Sequence, residues 1–288
     1  MTAHGTSQGF DESVLVIGPP GSELVGVLAL PAEAARTKDV GVVIVVGGPQ
    51  TRVGSHRQFV LMARALARAG YACLRFDYTG MGDSPGLRPD FERAGPDIRR
   101  ACDAMVAAVP GCRKLALWGL CDGASAALFY APGDPRVAAV IAANPWARSD
   151  TTRSAALVSG HYGSRLRSAD FWKKLLAGKV DLLGAAREAL GHLMRSRGRY
   201  DPASEAGQPE DLPARLAGVI ATWGGRLRLQ LSGRDLTAAE FEIAMDRCGL
   251  PRGGTEGGFR IDDADHTFSD PLHWEAAIAD AKDALARI

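Results

Sequence analysis

The stretch Gly119-Leu120-Cys121-Asp122-Gly123 restricts the folds open to this chain more than any other. It follows an apolar run, Lys114 to Trp118, and precedes an alanine-rich stretch, Ala124 to Tyr130. The implied order is strand, abrupt turn, helix. Glycines two places either side of a central residue permit a strained turn that lifts the central side chain clear of a sheet and over the first turn of the next helix. Thiols at helix N-termini are in general favoured as thiolates by the dipole. Cys121 is therefore a candidate nucleophile. The competing reading is a buried, inert core cysteine beside a glycine turn.

The surrounding pattern shows what kind of sheet such a turn would belong to. Val40 to Val46 is continuously apolar and β-branched, as a strand buried on both faces should be. Tyr71–Phe76, Lys114–Trp118, Val137–Ala142, Leu227–Leu231 and Phe259–Ile261 read as further strands. Helical spacing separates them. Ser55-His56-Arg57-Gln58 reads as a capping box opening a helix with Phe59, Met62, Leu66 and Ala69 on one face. Pro96 starts a helix carrying Ile98, Cys102, Met105 and Val109, Ala238–Arg247 reads as another, and Pro271 opens a closing helix with Trp274, Ile278, Ala281 and Leu285. Before all of these, Ser13–Ile17 and Leu24–Leu30 flank Gly18-Pro19-Pro20-Gly21, a hairpin signal. Strands alternating with helices at this spacing predict a mostly parallel sheet with helices on both faces.

The alternation stops between Trp146 and about Leu216, where Phe171, Leu175, Leu176, Val180, Leu183, Leu190 and Met194 recur at helical spacing. This predicts a helical cap over the loop-bearing sheet edge, with the segment Pro202 to Pro213 returning the chain to the sheet. The expected organisation is core over 1–145, cap over 146–216 and core again over 217–288.

Composition excludes several classes. Lys and Arg total 34 against 33 Asp and Glu, a net charge of +1, which gives no basis for binding nucleic acid or an anionic membrane. The 5 cysteines contain no C-x-x-C pair, so neither a disulfide framework nor a metal site is expected, and a reducing, cytoplasmic setting fits. Met1 to Glu12 lacks the basic start and apolar core of a signal peptide. Val40 to Val46 is too short to span a bilayer, so no membrane insertion is expected.

A nucleophile on such a turn needs a base, and the base an orienting acid, in the chain order nucleophile, acid, histidine. Leu231-Ser232-Gly233-Arg234-Asp235 puts an aspartate just past one strand, and Asp262-Asp263-Ala264-Asp265-His266 puts a histidine just past the last. Histidine titrates near neutrality and can take a proton from the thiol and return it to a leaving group. Asp235 is the expected acid, with a helix N-cap as its competing role; Asp262, Asp263 and Asp265 lie awkwardly close to His266 in sequence. Acyl transfer also needs oxyanion donors. The Asp122 N–H is one, and Gly48 or Gln50 the other, because Pro49 between them has no N–H. The Asp122 carboxylate is expected to point aside, anchoring a loop or a cationic substrate group. Arg52 and His56 are candidates for substrate contact, against a reading in which Ser55 caps the helix and both are solvated. The Gly80–Ser84 loop lacks the Lys-Ser/Thr pair of a phosphate-cradling loop.

These segments carry a resemblance. Asp77-Tyr78-Thr79-Gly80-Met81-Gly82-Asp83-Ser84 is similar to the D-x-R-G-x-G-x-S turn of α/β hydrolases, with Thr79 in place of the usual arginine. More narrowly, Gly47 to Gln58, Gly119 to Ser125 and Phe171-Trp172-Lys173-Lys174-Leu175-Leu176 resemble the exosortase A system-associated hydrolase 1 family, with Ser232–Thr237 and Ala264–Ser269 extending the match. The resemblance implies an α/β-hydrolase fold with a helical cap, in a gene setting where acyl-activating enzymes and acyl carriers are typical. In its nucleophile the chain is also similar to dienelactone hydrolases, which lack a comparable cap. The expected activity is cleavage of a small-molecule ester or thioester, acyl-CoA or acyl carrier protein thioesters included, through an acyl-Cys121 intermediate released to water or to an acceptor, with no cofactor. A small-ester hydrolase of the dienelactone type and a catalytically silent interaction module are the alternatives.

Overall fold

A computed structural model of the chain describes residues 9–147, 212–250 and 258–288. The expected cap lies almost wholly outside the described residues. Eight strands form a single sheet in the order β1-β2-β4-β3-β5-β6-β7-β8. They are β1 Phe10–Ile17, β2 Leu24–Pro31, β3 Val40–Val45, β4 Cys73–Phe76, β5 Lys114–Leu120, β6 Val137–Ala143, β7 Leu227–Ser232 and β8 Phe259–Ile261. The α-helices among the described residues are α1 Gln58–Arg68, α2 Gly95–Ala108, α3 Asp122–Tyr130, α4 Leu212–Trp223, α5 Leu236–Arg247 and α6 Pro271–Leu285.

The Gly-Pro-Pro-Gly signal is realised as a hairpin with Ile17 opposite Leu24, and β2 runs antiparallel to β4. From β4 across to β8 every pairing is parallel. The reason is visible in β3, whose six residues are all buried. A strand covered on both faces has no use for alternation, and a parallel neighbour requires a helical crossover to supply the cover. Phe59, Met62 and Leu66 of α1, Ile98 and Met105 of α2, and Ala277 and Ala281 of α6 provide it, all fully buried. Trp118 of β5 meets Phe59 of α1 and Trp274 of α6 edge-on, each at 5.8 Å between ring centres.

Two local expectations change. The capping box does not form: Gly54 and Arg57 stand at the helix entry without a side-chain cap, and Arg57 is left-handed at φ 60°. Gln50 Oε1 instead accepts from the Ser55 N–H at 3.3 Å and from Gln58 Nε2 at 3.2 Å. The second difference is α4, a helix across 216/217, the boundary placed between cap and core. Its Leu216 and Ile220 are buried in the main core, so this part of the chain already belongs to the sheet's cover.

Gln230 of β7 is a fully buried polar residue packed against the apolar core. Its Oε1 accepts from Trp118 Nε1 at 3.1 Å, and its Nε2 donates to the Ala277 carbonyl at 2.8 Å and to Asp280 at 2.9 Å. It ties β5 and β7 to α6. Replacing it by leucine orphans a buried indole N–H, and Gln230→Leu is expected to lower unfolding free energy by about 2 kcal/mol. Equilibrium urea denaturation reads this out; an unchanged midpoint contradicts it.

Candidate active site

Six parallel strands share an orientation, so the segments leaving their C-terminal ends gather at one edge. Gly47-Gly48 follows β3, Asp77 follows β4, Cys121 follows β5, Asn144 follows β6, Asp235 follows β7 and His266 follows β8. β3 lies between β4 and β5, and the chain reverses direction across the sheet there, which opens a crevice at the strand ends.

Cys121 sits between β5 and α3 with φ 59° and ψ −129°. Such a backbone costs a non-glycine residue on the order of 1–3 kcal/mol and persists only when its surroundings over-determine it. Here they do. The Cys121 N–H donates to Ala143 O at 3.0 Å, and the Cys121 carbonyl accepts from Ala124, Ser125 and Trp146. The flanking glycines are required by close approach. A Cβ on Gly119 would come within 2.7 Å of the Ala124 backbone, and one on Gly123 within 2.5 Å of the Val45 carbonyl oxygen. The side chain of Cys121 is half-buried, at the head of α3.

The Asp235 carboxylate makes two sets of contacts. It caps α5, accepting from the Thr237 and Ala238 N–H groups at 3.1 Å each. The same Oδ2 lies 2.8 Å from His266 Nδ1. The cap bonds thus fix the carboxylate that orients the ring. Two of the other acids are engaged elsewhere: Asp262 pairs with Arg260, and Asp265 accepts from Thr267 and Ser269 within its own loop. With Nδ1 committed to Asp235, Nε2 is left for sulfur. Burial of the ring opposes protonation, but hydrogen bonds to Asp235 and Cys121 and the charges of both outweigh it, and the imidazole is pushed up to about 10. Burial pushes the thiols of Cys73, Cys102 and Cys112 upward, that of Cys102 to about 12, whereas Cys248 is exposed.

The loop donors are arranged differently from the expectation. The Gly48 N–H is directed at Asp122 Oδ1, and Asp122 Oδ2 faces Arg88 at 3.3 Å. The Asp122 carboxylate therefore anchors the loop after β3 and takes up one of the two donors named for the oxyanion. The N–H groups of Asp122 and Gln50 have no partner among the described residues. Arg52 is also committed: its backbone N–H donates to Asp77 at 2.6 Å and its guanidinium pairs with Asp77 and Asp83. Asp77 is fully buried, so Arg52 supplies the cation that Thr79 cannot, while Thr79 donates to Asp97. His56 borders a cavity between α1 and α6 whose walls include neither Cys121 nor His266.

Asn144 was not singled out by the sequence. It is fully buried at φ 43° and donates from Nδ2 to Ser232 Oγ at 2.9 Å and to the His266 carbonyl at 3.0 Å, while its Oδ1 accepts from the Ser232 N–H at 2.8 Å. It holds the histidine loop against the ends of β6 and β7. A lone Asn after an apolar strand carries no signal beyond its tolerance of a left-handed backbone.

The sequence model of the family described as serine aminopeptidase, S33, matches residues 37–185, just over half of the chain. A search of curated proteins returns no match. Among solved structures, the Pyrococcus furiosus esterase Pf2001 superimposes with a TM-score of 0.62 at 15% identity, covering 96% of this chain and 93% of that one. A dienelactone hydrolase from Anabaena variabilis gives 0.60 at 16% identity, covering 97% and 98%. A Xanthomonas campestris protein described as an α/β serine hydrolase without lid gives 0.53 at 17% identity, covering 96% and 93%. At such identities these structures establish a shared α/β-hydrolase fold. The residue at the centre of the elbow in this chain is cysteine.

The elevated His266 is directly measurable. Its ring is expected to titrate at about 10 by NMR rather than at the ordinary 6.5. The folded state favours the protonated ring, so its stabilising contribution is complete below pH 6.5 and is withdrawn as pH rises through about 10. Asp235→Asn and Cys121→Ala should each lower the midpoint, since each removes a hydrogen bond and a charge that hold the proton. A wild-type midpoint at 6.5 contradicts the arrangement.

Proposed function

The chain belongs to the serine aminopeptidase, S33, family of hydrolases, and we propose that it is a cysteine-dependent member that cleaves a small-molecule carboxylic ester or thioester through an acyl-Cys121 intermediate. One observation carries the reading: the His266 ring is gripped by Asp235 on one nitrogen and interacts with the sulfur of a strained elbow cysteine. A core cysteine needs neither the strained backbone nor the histidine.

The steps follow from these groups. The Cys121 sulfur, its proton held by His266 Nε2, adds to the acyl carbon, and the carbonyl π electrons move onto oxygen. The oxyanion accepts from the Asp122 N–H at the head of α3, where one good donor contributes roughly 3 kcal/mol to the barrier reduction. With Gly48 bound to the Asp122 carboxylate, Gln50 is the donor left on that loop. As the tetrahedral adduct collapses, the bond to the leaving alkoxide or thiolate breaks and His266 gives that group its proton. Neutral His266 then takes a proton from water, hydroxide adds to the thioester, and the carbon–sulfur bond breaks to release the acid. An alcohol or amine in place of water yields acyl transfer by the same steps. Asp235 stays ionised throughout and steadies the imidazolium.

With p-nitrophenyl acetate as substrate, Cys121→Ala and His266→Ala should each lower turnover by roughly 10³-fold or more, and the double variant little further, because the groups act as a unit. Intact-protein mass spectrometry should find an acetyl adduct on wild type and none on Cys121→Ala. Iodoacetamide should label Cys121 well before the exposed Cys248. Normal turnover in either single variant, or equal labelling of the two thiols, sinks the reading in favour of a silent fold.

A further inference from the structure

We propose that Arg88 is a positioning residue for the Cys121 thiol: it holds the Asp122 carboxylate against the loop after β3 and offsets the negative charge that follows the sulfur in sequence. This role rests on Cys121 being the nucleophile.

Asp122 follows Cys121 directly, so its carboxylate can face the sulfur or turn from it. Facing it, the negative charge raises the pKa of the thiol. The head of a helix supplies only a partial positive charge to set against this. Arg88 supplies a whole one, with its guanidinium 3.3 Å from Asp122 Oδ2. The other oxygen, Oδ1, accepts from the Gly48 N–H. With one oxygen on each partner the carboxylate bridges the loops after β3 and β4, and turning it toward the sulfur breaks both contacts. Among the described residues Arg88 is the one cation paired with Asp122. Arg52, on the same edge, is spent on Asp77 and Asp83. The Asp122 side chain is 18% exposed and that of Arg88 35%, so solvent screens the pair only in part. Burial and the charges of Asp122 and Asp97 push the Tyr78 hydroxyl well up, so this neighbour stays neutral.

The glycine-rich turn after β4 gains a purpose from this. It lacks the residues of a phosphate loop, yet its backbone is folded tightly under Arg88. Gly80 stands at φ 73°, and a Cβ there would collide with the Arg88 backbone nitrogen. The Gly80 N–H donates to the Pro85 carbonyl at 3.0 Å, which draws the segment leading to Arg88 onto the turn. Pro89, directly after Arg88, disfavours a helical backbone there. The turn thus fixes where the arginine side chain starts, and the side chain reaches across to the head of α3.

The pH dependence of iodoacetamide alkylation at Cys121, read by peptide mass mapping of the full-length protein, tests this without a substrate. His266, backed by Asp235, faces the sulfur from the loop after β8 and is common to every variant. Arg88→Gln should move the alkylation midpoint upward by about one unit, as an uncompensated neighbouring carboxylate does. Arg88→Met should shift it equally, and Arg88→Lys, which keeps the charge, should restore most of the difference. The decisive protein carries Arg88→Gln together with Asp122→Asn, which removes the negative charge and keeps an acceptor for Gly48. Its midpoint should return to the wild-type value or below, a rescue that a merely structural arginine does not predict. An unchanged midpoint in Arg88→Gln and Arg88→Met, or a raised one that Asp122→Asn leaves in place, overturns the role of Arg88 while the nucleophile stands. Wild-type Cys121 reacting no faster than Cys248 removes the nucleophile, and the role of Arg88 with it.

Discussion

A left-handed backbone at Cys121 is the constraint on which the loop edge of this protein depends. At φ 59° and ψ −129° the residue cannot belong to the strand before it or the helix after it. It is held from the neighbouring strand and the helix: its N–H reaches Ala143 on β6, and its carbonyl accepts from the first turn of α3 and from Trp146. The turn brings β5 and α3 so close that side chains at 119 and 123 have no room. Strain of this kind persists because a well-packed sheet and helix leave no alternative path, and it projects one sulfur out of the sheet edge.

Around this point the fold solves a second problem, which is holding polar machinery in an apolar interior. Three buried polar side chains there, Asp235, Asn144 and Gln230, each have more than one partner, which fixes their orientation. Asp235 caps α5 and grips His266 with one carboxylate. Asn144 bonds the end of β7 and the His266 carbonyl together. Gln230 binds Trp118, Ala277 and Asp280, fixing α6, the helix that follows the histidine loop. Shared partners raise the cost of displacing any single group, because a half-satisfied buried network is worse than none.

Much of this was legible in the chain, and the boundary between legible and hidden has a physical basis. Strands such as Val40–Val45 announce themselves because burial on both faces demands an unbroken apolar run. The elbow was legible because its backbone tolerates few residues. The encounter of Asp235 with His266 was inferable from strand order alone, since parallel strands deliver their C-terminal ends to one place. What stayed hidden are pairings chosen in three dimensions. Ser55 and Gln58 have the spacing of a capping box, yet Gln50, five residues before Ser55, takes both bonds because the loop folds back on itself. Arg52 looked available for substrate until the buried Asp77, 25 residues later, claimed it in the place of the arginine missing at position 79. Asn144 and Gln230 gave no pattern at all, since their partners lie on strands, a loop and a helix distant in sequence.

The Asp122 carboxylate brings these threads together. Directly after Cys121, the proposed nucleophile, a negative charge facing sulfur would oppose the ionised form that nucleophilic attack requires. The structure turns that charge away, onto the Gly48 N–H and toward Arg88. This contact has two effects of opposite sense. It removes Gly48 as a donor for an oxyanion, and it locks the loop after β3 onto the head of α3, where the Asp122 N–H stands. A glycine-rich loop followed by proline has little side-chain packing of its own to fix it, so a charge-assisted bond from the neighbouring helix is an effective restraint. The carboxylate that would be a liability facing the sulfur thus becomes, facing the loop, what holds the two sides of the crevice in register.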